Sequence, residues 1–85
     1  MALTAQQLRM ARACLRWSIA DLAEHSGVAV STVKRAEAVD GPIPVTRPNA
    51  DAMLRALEAA GVQFIPENGG GVGVRLRQNS SGEAH

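Results

Sequence analysis

Apolar positions recur along the first 61 residues at steps of three and four, the period of helices with one buried face, and beyond them the period shortens toward alternation. Leu8, Ala11 and Leu15 make the first stripe, with Gln6, Arg9, Ala13 and Arg16 largely off it. Thr4 followed by Gln7 has capping-box spacing, in which the threonine hydroxyl accepts the third helical N–H and the glutamine reaches back. A helix is expected from Ala5 to near Trp17. Ser18 caps a second, with Asp21 in a first turn where a carboxylate suits the helix dipole and with Ile19, Leu22 and Ala23 facing inward. Gly27 closes it, because glycine adopts the left-handed conformation cheaply, and a third helix is expected over about 30–38. Residues 40–48, with Gly41, Pro42, Pro44 and Pro48, read as an extended loop that carries Thr46 and Arg47. Asn49 is the expected cap of a fourth helix with the stripe Ala50, Met53, Leu54 and Leu57, and Gly61 its expected left-handed terminator. Residues 62–65 and 72–77 are rich in β-formers, and in the second segment Val72, Val74 and Leu76 alternate with Gly73, Arg75 and Arg77. Residues 66–71 are turn material and 78–85 read as a frayed tail.

The class expected is therefore mainly α: a four-helix domain over 1–61 followed by a short C-terminal β element over 62–77. An isolated two-stranded hairpin is marginal in water, so these strands lie against the helices, pair with a second chain, or do both. With 85 residues, 46% apolar and 20% charged, one core fits and a large catalytic cleft does not. No apolar stretch approaches the roughly 20 residues of a membrane helix, and the N-terminus lacks the marks of a signal peptide, so the expected location is cytoplasmic, on the nucleoid. Lone Cys14 makes no intramolecular disulfide and reads as a small apolar group, which leaves the core, association, or both to hold the domain. Net charge is only +1, from 9 Lys and Arg against 8 Asp and Glu, so the placement of charge matters more than its sum.

Placement singles out residues 19–37, IADLAEHSGVAVSTVKRAE. A helix, a tight turn at Gly27 and a second helix, with small Ala23 where the two approach, is helix-turn-helix geometry. Leu22, Val28 and Val33 supply the contacts between them and leave Ser31, Lys34 and Arg35 outside. Residues 4–61 resemble the Cro and phage-repressor (Xre-type) class of helix-turn-helix transcriptional regulators. The resemblance rests on Arg12, on Ala23, Gly27 and Val28 at the turn, on Val33, on Glu37, and on a fourth helix after them. Two departures stand out. The family's usual fifth helix is missing, replaced by a glycine-rich stretch and a strand, and Ile19 opens the first motif helix where the family often has a phosphate-binding glutamine.

The resemblance implies a third helix in the major groove, where each base pair presents a distinct pattern of donors, acceptors and methyl groups. Position by position, Val30, Ser31, Lys34 and Arg35 would face base edges. Arg35 suits guanine O6 and N7, and Val30 a thymine methyl. Phosphate contacts favour hydroxyls, arginines and helix N-termini, which makes Ser18, Thr32, Thr46 and Arg47 the candidates; Thr46 and Arg47 lie in the loop that in the family passes beside the DNA backbone, with a plain rigid connector the other reading of that loop. Arg9 and Arg16 extend the basic surface or merely solubilise helix one. Arg12 and Glu37 would form an ion pair that orients the recognition helix. One such domain covers half a site, so a homodimer on a palindromic operator is expected, most simply as a repressor. Phe64, Val72, Val74 and Leu76 are its candidate interface; the competing expectation is an intramolecular hairpin packed on helix four.

Other chemistries find little. His25 and His85 have no ligand spacing with Cys14, so no metal and no cofactor is expected. Gly69, Gly70, Gly71 and Gly73 precede no Gly-Lys-Ser or Gly-Lys-Thr and read as a turn. Asp21, Glu24 and Ser31 are better explained as capping and surface residues than as a catalytic set, and no enzyme is expected. Trp17 and Phe64, the whole aromatic complement, read as core or interface fillers rather than a base-stacking platform for single strands. The alternative that stays open is a protein-interaction module, such as an antitoxin gripping a toxin or a regulator that binds RNA polymerase; the small net charge and Glu24 favour it.

Overall fold

The first helix, α1 (Ala5–Leu15), begins where the capping box requires it: the Thr4 hydroxyl accepts the Gln7 N–H at 3.1 Å and Gln7 Oε1 accepts the Thr4 N–H at 3.2 Å. The computed structural model describes residues 3–77, so the tail over 78–85 lies outside the described residues. Three further helices follow, α2 (Ile19–Ser26), α3 (Val30–Glu37) and α4 (Arg47–Ala59), and then the strands β1 (Val62–Ile65) and β2 (Gly73–Leu76). The domain is mainly α, four helices with a two-stranded antiparallel hairpin. Among the described residues no helix is long and apolar enough to cross a membrane.

Three boundaries differ from those expected. α1 stops at Leu15 rather than near Trp17, because Arg16 takes the left-handed conformation (φ +58°) and returns its N–H to Ala13 O at 3.2 Å. That early stop leaves Ser18 the extended backbone a cap needs. α4 starts at Arg47 with Thr46 as its N-cap, not at a cap on Asn49. Pro48 does not hold the helix off, because a proline in the first turn loses no helical hydrogen bond. Thr46 and Arg47 thus belong to the start of a helix and not to an extended loop. β2 is shorter than 72–77, although Arg77 still donates its N–H to Gly61 O at 2.7 Å. Gly61 itself has φ +107°, the turn expected after the fourth helix.

The core takes Leu8 and Ala11 of α1, Leu22 and Ala23 of α2, Val33 of α3 and Met53 and Leu57 of α4 from the expected positions and adds Ala36 of α3, joined by Leu3, Val28, Val62 and Phe64; Leu15, Ile19, Ala50 and Leu54, also expected inside, are half-buried. α2 packs against both α3 and α4, and α1 against α3 and the hairpin. The hairpin closes within the chain, in the register Val62↔Leu76, Gln63↔Arg75, Phe64↔Val74 and Ile65↔Gly73. Directly opposed residues share a face, so Phe64 and Val74 turn together toward the helices. Of the four residues expected at an interface, Phe64 is a core residue at 8% exposure, Val72 and Val74 are half-buried with Val74 packed on the core, and Leu76 is open, at 53%.

Gln7 does more than cap. Its side chain is fully buried, and its amide nitrogen donates to Ile65 O and to Gly73 O, each at 3.1 Å. A buried amide with donors and acceptor all satisfied ties the first turn of α1 to both strands. The segment before α4 is held too, with Ala5 N–H donating to Gly41 O at 2.8 Å and Ile43 N–H to Leu3 O at 3.2 Å.

Candidate nucleic-acid interface

The turn between α2 and α3 is fastened from within. Gly27 takes φ +77° and donates its N–H to Ala23 O at 2.9 Å, a conformation in which any side chain would be strained. The Ser26 hydroxyl donates to Leu22 O at 2.7 Å and accepts the Val28 N–H at 3.2 Å, which delivers Val28 to the core. Ala29 then precedes α3 with no side-chain cap. The positive end of the α3 dipole is therefore unopposed by any side-chain oxygen of its N-cap.

α3 is sharply two-sided. Val33, Ala36 and Glu37 are buried, whereas Val30, Ser31, Lys34 and Arg35 are exposed. At about 100° per residue those four span an arc of about 140°, a single outward face. Val30 is 42% exposed, one of the few large apolar side chains left open. Thr32 is half-buried at the edge of the face. The four expected base-reading residues are thus brought together, on one helix and one side.

The expected phosphate contacts are placed on helix starts. Ser18 is exposed at the start of α2, where its hydroxyl accepts the Asp21 N–H at 3.0 Å and its own N–H donates to Asp21 Oδ2 at 2.9 Å. Hydrogen bonding to Ser18, to its backbone N–H first and then to its hydroxyl, holds the Asp21 carboxyl below the usual carboxylate range. Thr46 makes no side-chain cap with α4, and the Arg47 side chain is 91% exposed, with Asp51 4.0 Å away. An arginine at a helix start opposes the dipole, and a cation N-terminal to its acidic partner is the poorer order for such a pair. Local stability does not explain Arg47.

Behind α3, Arg12 and Glu37 meet as a two-pronged pair: Nε to Oε2 at 2.6 Å and Nη2 to Oε1 at 2.8 Å. Arg12 Nη1 also donates to Trp17 O at 2.7 Å, so one guanidinium joins α1, the α1–α2 turn and the end of α3. Hydrogen bonding to Glu37 raises the Arg12 pKa above its ordinary value, against the opposing effect of burial. The charge is permanent.

Two features were not assigned from the sequence. Arg9 reaches the same end of α3, donating from Nη1 to Glu37 O at 2.5 Å and Val39 O at 3.1 Å, with Nη2 3.5 Å from Asp40. Its spacing of three from Arg12, which puts both on one side of α1, is the signal that pointed there. Trp17 stacks on His25 with ring centroids 4.2 Å apart and planes 7° from parallel, a contact with no sequence signature. Among the described residues, no cluster of three or more His, Cys, Asp or Glu is placed to hold a metal ion. His85 lies outside the described residues. Compared with known proteins, the chain matches no protein-family model and no curated sequence.

Proposed function

We propose that this protein is a sequence-reading regulator of transcription, with a Cro-like helix-turn-helix fold, that binds duplex DNA through α3 in the major groove. The observation that carries the reading is the division of α3: four adjacent outward positions hold a valine, a hydroxyl and two cations, and the inward positions hold only core and one ion-paired carboxylate. Val30 stands at one edge of that arc beside Lys34, so the face offers an apolar contact, a hydroxyl and two cationic donors, the mix of contacts that base edges in the major groove present partners for. Arg35 reads guanine, Val30 packs on a thymine methyl, and Lys34 and Ser31 complete the face. Ser18, Thr32, Thr46 and Arg47 fix the register on phosphates. The exposed Arg47, unexplained by local stability, supports that assignment.

The regulator acts as a homodimer on a palindrome and represses by occupying a promoter. Among the described residues β2 has a strand neighbour on one side alone, β1, and this and the exposed Leu76 support association through the hairpin. Selection of sites from random duplex DNA, repeated with Arg35→Ala, tests the proposal. An enriched inverted repeat that Arg35→Ala relaxes at one base step, with a loss of roughly 10-fold to 100-fold, is the expected result. Log affinity against log salt then falls by about 0.9 per phosphate contacted. No enrichment refutes the reading and leaves the toxin or polymerase partner as the function to pursue.

A further inference from the structure

We infer that Arg9 is a positioning residue for the reading helix: it holds the carbonyl end of α3 at the pitch that sequence discrimination requires, without itself touching DNA. The inference rests on the DNA-reading function proposed above and concerns how that function is made selective.

α3 is 8 residues long and ends without a glycine, in Ala38 with ordinary helical dihedrals, so its last carbonyls have no left-handed turn to satisfy them. One is taken internally, Arg35 O by the Ala38 N–H at 3.3 Å. Glu37 O and, just past the helix, Val39 O are instead both taken by one Arg9 nitrogen, and the cation sits where the negative end of the helix dipole favours it. Residue 37 is therefore gripped twice from α1, at its carbonyl by Arg9 and at its carboxylate by Arg12. The two grips differ in what they restrain. The carboxylate hangs on rotatable bonds and fixes position, whereas the carbonyl is part of the backbone and fixes direction.

Direction matters because of leverage. A helix of 8 residues is about 12 Å long, so a tilt of about 10° about its carbonyl end moves Val30 and Ser31 by about 2 Å. Hydrogen bonds to base edges tolerate only a few tenths of an ångström, whereas attraction to phosphates is long-ranged and indifferent to such a shift. Loss of the Arg9 grip should therefore degrade discrimination and spare general DNA affinity.

The test compares wild type, Arg9→Met and Arg9→Lys on the duplex recovered by site selection and on a scrambled duplex of equal length, with amide hydrogen exchange on the free proteins. Arg9→Met keeps the apolar stem and removes the donors; Arg9→Lys keeps the charge, but its nitrogen ends one bond short of the position from which Nη1 reaches both carbonyls. The expected result is roughly a 10-fold loss on the selected duplex for Arg9→Met, little change on the scrambled duplex, an unchanged salt slope, faster exchange in the last turn of α3, and incomplete rescue by lysine. Equal losses on both duplexes, with the salt slope reduced by about 0.9 and restored by lysine, would make Arg9 a phosphate contact and overturn the inference. So would unchanged discrimination. If the wild type selects no duplex, the DNA-reading function fails; exchange in α3 that is the same in wild type and Arg9→Met then sinks the clamp separately.

Discussion

Replacing Glu37 by leucine strands the Arg12 guanidinium, whose side chain is 22% exposed and would keep only Trp17 O as a partner; replacing Arg12 by methionine strands a carboxylate whose side chain is 6% exposed. Removing one member of a buried pair costs about 3 kcal/mol, because the survivor stays desolvated with nothing to offset it. For a domain of this size that lowers the melting temperature by roughly 15 °C. Replacing both with apolar residues of similar length removes the charges together. What is left is the unpaired Trp17 carbonyl, worth about 1 kcal/mol, and imperfect packing of about 2 kcal/mol, about 3 kcal/mol in all against about 6 for the two single variants together. The Arg12→Met, Glu37→Leu double variant should therefore lose less than the two single variants combined, with a coupling of about 3 kcal/mol in urea-denaturation free energies. Glu37→Gln, which keeps the shape and some of the hydrogen bonding, supplies a milder third point if a single variant is too unstable to measure. Coupling below about 0.5 kcal/mol would show the two side chains acting independently and would refute the pairing as the tie between α1 and α3.

Arg16→Gly should stabilise the domain by about 0.5 to 1 kcal/mol, since a left-handed φ strains arginine and not glycine while the glycine's extra unfolded-state entropy takes back part of the gain. A rise of a few degrees in thermal melting checks it; a fall would mean that the exposed side chain makes a contact that matters. Gln7→Leu should cost about 2 to 4 kcal/mol and speed amide exchange in both strands, because Ile65 O, Gly73 O and the Thr4 N–H lose their partner together. Asp21 has a folded-state pKa below its unfolded one, so its contribution is complete above about pH 5 and is lost as pH falls through the lowered value; the stability gap between wild type and Asp21→Asn should be flat near neutrality and close in acid. Leu76→Glu should leave the monomer fold intact, since the side chain is 53% exposed, and should dissociate the proposed dimer in sedimentation at micromolar concentration. It is a cleaner probe than deleting the strand, which would also take Gly73 O from Gln7 and Val74 from the core.

Local chemistry made most of the helical framework legible. The Thr4 capping box, the Ser18 cap, the left-handed Gly27 and Gly61, and the apolar stripes of α1, α2 and α4 each depend on residues within a turn or two of one another, so spacing alone places them. Proline was the exception: at Pro48 the same residue that breaks a helix interior is harmless in a first turn, and nothing nearby in the chain announces which applies. Ser31, Lys34 and Arg35 were readable as outward for the same reason, because once Val33 is inside the helical period turns those three away; Val30, three positions before Val33 and on its side of the helix, was named through the family resemblance, and its exposure was decided by the tertiary structure.

Contacts between distant segments were decided by the tertiary structure. That Arg9 meets the carbonyl of Glu37, 28 positions on, that Gln7 bridges two strands nearly 60 and more residues away, and that Trp17 lies flat on His25 all depend on how helices cross, which periodicity does not encode. The hairpin shows the limit most plainly. Alternation in residues 72–77 is the same whether β2 pairs with β1 or with another chain, because a strand's ladder groups are identical toward either partner. The tertiary structure decided it: β1 pairs with β2, Val62 and Phe64 join the core with Val74 packed against it, and the hairpin lies on α1 and α4.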